Sequence, residues 1–262
     1  MIYTGTETRN ACYSPQHLQL YESYSIIRLL ENTAPGRNGG GWIDQGGSSD
    51  NLSRWLDQAN ATMLAKAKEL MLFNFAVLVD SPALPPLGQQ FYRIDEIVGK
   101  CGNPVGVAAW EPFDADGEDQ LYNYLGQCGL AVEPSPYFND KAPTVLLTQS
   151  SACEPNAMEK LEKYVRQGGN AVVTVGFVHE TYDKGIKDMT SVRLTHRHVL
   201  SNEFMVSNMN YLQMEVERSD DSILFEVLDY KTNATHSDIT ILAGEDNFPM
   251  MTEDNYGKGR LF

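Results

Sequence analysis

The chain has 262 residues, with hydrophobic residues at 42%, charged residues at 21% and a formal net charge of −15 at pH 7; its pI is near 4.7. Such acidity repels phosphate backbones and argues against a nucleic-acid partner, and no apolar run approaches the ~20 residues that span a bilayer as a helix. The four cysteines, Cys12, Cys101, Cys128 and Cys153, show no CxxC spacing, so neither a zinc site nor a disulfide framework is expected, and no cofactor is implied.

In chain order, Ile2–Thr6 reads as a strand. Pro15–Glu31 reads as an amphipathic helix with Leu18, Tyr21, Ile26, Leu29 and Leu30 at its apolar positions. After Pro35-Gly36 come a glycine-rich turn at Gly39-Gly40-Gly41 and a short strand at Trp42-Ile43. Asn51–Leu70 is a second helix, in which Leu52, Trp55, Leu56, Ala59, Met63 and Ala67 recur at helical spacing. Leu70–Val79 (LMLFNFAVLV) is a fully apolar strand. Strands alternating with helices in this way are what part of a (β/α)8 barrel looks like. The stretch Ser81-Pro82-Ala83-Leu84-Pro85-Pro86-Leu87-Gly88 holds too much proline to continue a strand or helix and reads as a linker, residues 82–102.

The second region begins near residue 103. Pro104–Trp110 is its first strand, Glu118–Leu125 a helix stopped at Gly126, and Leu130–Val132 the start of another strand. Thr144–Thr148 is a buried strand. Glu154-Pro155 opens a helix with Met158, Leu161 and Val165 on one face, Gly168-Gly169 ends it, and Ala171–Val175 is the next strand. A strand, crossover helix and strand this close together favour a parallel sheet. From Lys187 the pattern changes to short β segments at Val192–Thr195, Ile223–Leu228 and Ile239–Leu242, separated by polar loops such as Ser219-Asp220-Asp221-Ser222.

Three places carry a resemblance. Residues 143–177, the stretch PFDADGEDQLYNYLGQCG at Pro112–Gly129 and the stretch NYGKGRLF at Asn255–Phe262 resemble the glutamine-amidotransferase-like, flavodoxin-like domain that follows the catalytic barrel in TIM-barrel β-galactosidases, where it is called the trimerisation domain. The resemblance implies an α/β chain: a partial (β/α) barrel over residues 1–81, the linker, and an amidotransferase-like doubly wound domain with added β strands over residues 103–262, truncated at its C-terminus. It implies a homo-oligomer through that domain and a carbohydrate substrate. The first residues, MIYTGTETR, and the last, Gly259-Arg260-Leu261-Phe262, read as strands entering or leaving mid-fold, so an internal piece of a longer protein is expected.

Barrel chemistry sits at the carboxyl ends of the strands, where IYTGTETR, GGGWIDQ and ELMLFNF place Glu7, Asp44 and Asn74. Glycoside hydrolysis uses two carboxylates. A retaining enzyme of the resembled clan carries its nucleophile, usually Glu, on the seventh strand. That residue is Asp44 if GGGWIDQ is the seventh strand, or Glu7 if IYTGTETR is, with Arg9 close enough to keep it ionised. The acid/base would come from an earlier strand, so the chain alone should not cleave a glycosidic bond. Trp42 is a candidate sugar platform, although burial in the barrel wall is the favoured account of it. Glu7 can equally pair with Arg9, and Asp44 can equally cap the turn before the Asn51 helix. The second region lacks a G-x-C-x-G elbow: the strand ending at Val175 runs into Gly176-Phe177-Val178 without a nucleophile, which rejects amidotransferase chemistry. His196 and His198, two apart, would share a strand face without a third ligand. The alternative to a carbohydrate-active enzyme is a non-catalytic module for assembly or ligand docking.

Overall fold

The computed structural model of the chain describes residues 1–6, 8, 19–43, 52–118, 120–207 and 214–262. It divides into two units, residues 1–113 with 119–139, and residues 114–118 with 140–262. The first unit therefore reaches well beyond the expected break at residues 82–102.

In the first unit, strands β1 (Ile2–Gly5), β2 (Asn38–Ile43) and β3 (Glu69–Leu72) form a parallel sheet in sequence order. Helix α1 (Glu22–Thr33) connects the first two strands and α2 (Leu52–Leu64) the last two. The glycine run is part of β2 rather than a turn, and its neighbours explain why. The Tyr3 ring crosses Gly39, where a Cβ would lie 2.5 Å from it, and its hydroxyl donates to Glu69 Oε2 on β3 at 2.9 Å. Gly40 has φ +137°, and a Cβ there would lie 1.9 Å from the Glu69 carbonyl oxygen. Only residues without Cβ fit this approach.

The apolar run after Glu69 is not one strand. β3 ends at Leu72, Asn74 turns the chain with φ 70°, and Phe75–Leu78 is one helical turn, α3. The expected linker contains a helix, α4 (Leu84–Val98), with Pro85 and Pro86 in its first turn, where no intrahelical partner awaits their missing N–H groups. Its Leu87 and Ile94 join Ile43, Trp55, Ala59 and Leu78 in one core cluster. Strands β4 (Val107–Trp110) and β5 (Val132–Ser135) pair in parallel, with helix α5 (Tyr122–Gln127) between them in sequence. Helix α1 packs on β5. Arg28 Nε donates to both Glu133 oxygens at 3.0 and 3.1 Å, and Asn32 Nδ2 donates to Glu133 and to the Pro134 carbonyl.

In the second unit, β6 (Thr144–Leu147) and β7 (Asn170–Val173) pair in parallel through helix α6 (Ala157–Gln167), as expected. The α6 cap is Gly168, with φ 115°. Strand β7 then enters helix α7 (Val175–Thr181). The β segments that follow are mostly longer than the short ones expected: β8 (Arg193–Ser207), β9 (Met214–Asp229), β10 (His236–Ala243) and β11 (Asp246–Tyr256), with a short last strand β12 (Gly259–Leu261). The sheet order is β6-β7-β12-β11-β10-β8-β9, parallel from β6 to β12 and antiparallel beyond. Ser219-Asp220-Asp221-Ser222, expected as a loop, lies inside β9; the β8–β9 register breaks between Ser201 and Glu203, so a bulge accommodates the polar residues without ending the pair. The chain is thus a mixed α/β protein with a large sheet.

Candidate functional site

The parallel strands of the first unit end level with one another. Gly5 is opposite Trp42, Trp42 is opposite Met71, and Phe73 N–H donates to the Ile43 carbonyl at 2.9 Å. Side chains leaving these ends share one edge of the sheet. Among the sequence-derived candidates, Glu7, Arg9 and Asp44 lie outside the described residues. Trp42 is half-buried, and Asn74 is exposed in the left-handed conformation.

The residues around Glu7 in sequence are held tightly. Thr6 and Thr8 are both buried. Thr6 N–H donates to the Trp42 carbonyl at 2.9 Å, and its hydroxyl reaches the same oxygen at 3.2 Å. Ser23 of α1 donates to the Thr6 carbonyl at 2.6 Å, and Thr62 of α2 donates to the Thr6 hydroxyl at 2.9 Å. Arg54 Nε of α2 donates to the Thr8 hydroxyl at 3.4 Å. Three elements thus converge on one strand end, the rigid support that a catalytic side chain needs. Sequence reasoning missed this threonine framework, although its signal was present: Thr4, Thr6 and Thr8 recur at the period of a strand. It also missed Phe73 (54% exposed) and Phe75 (81% exposed), which flank Asn74.

Electrostatics single out another carboxyl in this unit. Glu22, in the first turn of α1, is buried, and desolvation pushes its pKa up to about 7, with Asn123 hydrogen bonding opposing the rise and the Glu111 charge adding to it. Tyr3 is also pushed up, mainly because its hydroxyl donates to Glu69.

In the second unit, the turn from β7 into α7 is made at Thr174, whose hydroxyl accepts from Phe177 N–H at 3.2 Å. Glu118 closes the turn. Its Oε2 accepts from Thr174 Oγ1 at 2.5 Å and from Gln149 N–H at 2.7 Å. His196 and His198 both lie in β8, but a bulge between Leu194 and Arg197 puts His196 at φ 56° while His198 is in register opposite Glu226, so the regular alternation between them is broken. Among the described residues no group of three His, Cys, Asp or Glu side chains could hold a metal ion, and no helix is long and apolar enough to cross a membrane.

Residues 1–99 match the family model of a probable glycosyl hydrolase, catalytic domain. The match runs through α4. No curated protein is similar in sequence at a significant level. Solved structures are similar in fold. One is Gan42B, a GH42 β-galactosidase from G. stearothermophilus, with 12% identity, 92% of this chain and 43% of that one covered, and a TM-score of 0.60. Another is the cold-adapted β-galactosidase from Rahnella sp. R3, with 13% identity, 100% and 47% covered, and a TM-score of 0.63. The β-galactosidase from Bacillus circulans sp. alkalophilus has 13% identity, 80% and 38% covered, and a TM-score of 0.50. The chain spans less than half the length of each of these structures.

Proposed function

We propose that the chain is part of a glycoside hydrolase: the rear of a (β/α)8 barrel followed by a non-catalytic amidotransferase-like, flavodoxin-like domain. The observation that carries the reading is the glycosyl hydrolase family match over residues 1–99, which falls on three parallel strands in sequence order with their carboxyl ends level. In barrels that edge bears the active site. The alternation along β3 supports the same reading. Leu70 and Leu72 are half-buried, while Met71 and Phe73 are exposed apolar residues on the other face, the face that would look into a closed barrel.

In this proposal the barrel ends near residue 99 rather than 81, and α4 is its last helix. Glu7 and Asp44 are the candidate carboxylates, one of them the nucleophile, and the acid/base comes from a strand outside these residues. Arg9 keeps Glu7 ionised, Trp42 offers an apolar face to the sugar ring, and Asn74 hydrogen-bonds a sugar hydroxyl. The second unit serves assembly through self-association. Thr174 at the turn and the Glu118 carboxylate against it support a non-catalytic role for that domain.

The test is turnover of aryl β-galactosides by the full-length enzyme and by its Glu7→Gln and Asp44→Asn variants. The nucleophile variant should lose at least about a hundredfold in kcat, the scale of removing a reacting carboxyl. Unchanged turnover in both variants, or none in the parent, would leave the second reading: a module whose barrel strands have lost their chemistry.

A further inference from the structure

The first turn of α1 is tied on two sides. Toward α5, Asn123 Nδ2 donates to Glu22 Oε2 and, at 3.4 Å, to Gln120 Oε1, while Ser25 Oγ donates to Asn123 Oδ1 at 2.5 Å. Toward the sheet, Ser23 Oγ donates to the Thr6 carbonyl at 2.6 Å, and Thr6 N–H donates to the Trp42 carbonyl at 2.9 Å. Thr6, Glu22, Ser23, Ser25 and Asn123 are all buried. Ser25 N–H donates to the Tyr21 carbonyl at 3.0 Å, so these residues belong to one closed helical turn and move together. That turn joins α5 to the end of β1, and Thr6 adjoins Glu7 in sequence.

Glu22 is the acid in this turn. A helix N-terminus favours an anion, and the Asn123 amide favours it too. Burial of the carboxyl opposes both and prevails, with the Glu111 charge just past β4 adding to it. The other titratable groups on the elements packed here are Tyr122 and Tyr124 of α5 and Tyr21 and Arg28 of α1. The Tyr124 hydroxyl accepts from Gln19 Nε2 at 3.0 Å, the Tyr21 hydroxyl accepts from Val132 N–H at 3.1 Å, and Arg28 is held by Glu133. An amide is a poor substitute for the counter-charge that a buried carboxylate needs. An ionised Glu22 therefore gains by turning out to solvent, which swings the turn off α5 and draws Ser23 from Thr6.

We propose that the first turn of α1 is a proton-operated latch: with Glu22 neutral it holds the end of β1 through Ser23 and Thr6, and with Glu22 ionised it lets that end go. Glu22 is thus a positioning residue for Glu7. The latch itself needs no glycosidase chemistry, whereas its bearing on turnover rests on the glycosidase reading.

The test is hydrogen exchange of the Thr6 amide in the 262-residue chain, corrected for the intrinsic pH dependence of exchange. A carboxyl raised in the folded state contributes stability that is fully present below about pH 4.5 and lost as pH rises to about 7. Between pH 5.5 and pH 8.5 Thr6 should therefore exchange about thirtyfold faster, the change such a shift allows over that interval. At pH 8.5 it should exchange ahead of the slowest amides of β2. Glu22→Gln should remove the acceleration. Ser23→Ala, which cuts the latch from the strand end, should leave Thr6 fast at both pH values and decides the matter if Glu22→Gln fails to fold. No acceleration in the parent, the same acceleration in either variant, or Thr6 exchanging together with the slowest β2 amides at pH 8.5 would overturn the latch. In the full-length enzyme, Glu22→Gln should keep at pH 8.5 a turnover of aryl β-galactosides that the parent loses. Identical pH profiles of turnover beside the expected exchange difference would count against the glycosidase reading and leave the latch standing.

Discussion

Replacing Glu22 by Gln should make the first unit more stable at neutral pH. The Glu22 carboxyl is buried between α1 and α5. Asn123 Nδ2 donates a short hydrogen bond to its Oε2, and Ser25 Oγ donates to Asn123 Oδ1 at 2.5 Å. Burial and the nearby Glu111 charge raise its pKa from 4.5 to about 7. A raised carboxyl pKa means that the folded state holds the proton more tightly than the unfolded chain. The contribution of Glu22 is therefore fully present below about pH 4.5, falls as pH rises from 4.5 to 7, and is level above that. At about 1.4 kcal/mol per pH unit, the whole change is on the order of 3 kcal/mol. Gln keeps the acceptor for Asn123 and carries no charge to desolvate. Urea unfolding of both proteins from pH 4 to pH 8 measures the difference. The variant should match the parent near pH 4 and exceed it by up to about 3 kcal/mol at pH 8. A difference that stays constant with pH, or a variant weaker at pH 8, would refute the reasoning.

Two further perturbations address the same unit. Gly40→Ala forces a Cβ into the Glu69 carbonyl at a left-handed φ and should cost about 3 kcal/mol or more, from strain and overpacking together; a change under ~1 kcal/mol in urea unfolding would show that β2 shifts freely. Arg28→Met leaves the half-buried Glu133 carboxylate, which Arg28 meets at 2.9 Å through Nη2 as well as through Nε, without its cation, and should cost about 3 kcal/mol, the low end for a broken buried pair. Arg28→Met with Glu133→Leu should recover most of that loss in thermal unfolding, since the penalty belongs to the unpaired charge.

The sequence showed most of what local chemistry decides. The β6–α6–β7 unit was legible because a buried strand, an apolar stripe and a glycine stop each have their own pattern, and Gly168 takes the left-handed cap its position demands. The errors arose where distant neighbours decide. Three consecutive glycines look like a turn until Tyr3 and Glu69 are known to close on either side of them. Pro85 and Pro86 look like breakers unless they open a helix, which depends on Leu87 and Ile94 having a core to meet. At the candidate site, the strand-end positions of Trp42 and Asn74 could be read from the strand pattern. The buttressing of Thr6 by Ser23, Trp42 and Thr62 could not, because it joins residues up to 56 positions apart.

The Arg28–Glu133 tie also constrains the order in which the chain can fold. Its two ends are 105 residues apart, and Ser25 and Asn123 are separated by almost as many. As a ribosome releases the chain from its N-terminus, α1 emerges early, yet the acid that neutralises its buried guanidinium arrives only with β5. Until then Arg28 must stay solvated, and the three-stranded sheet waits with one helix loosely attached. A piece cut after residue 99 would remain in that state permanently, whereas one extending through Asn139 contains the counter-charge and can close.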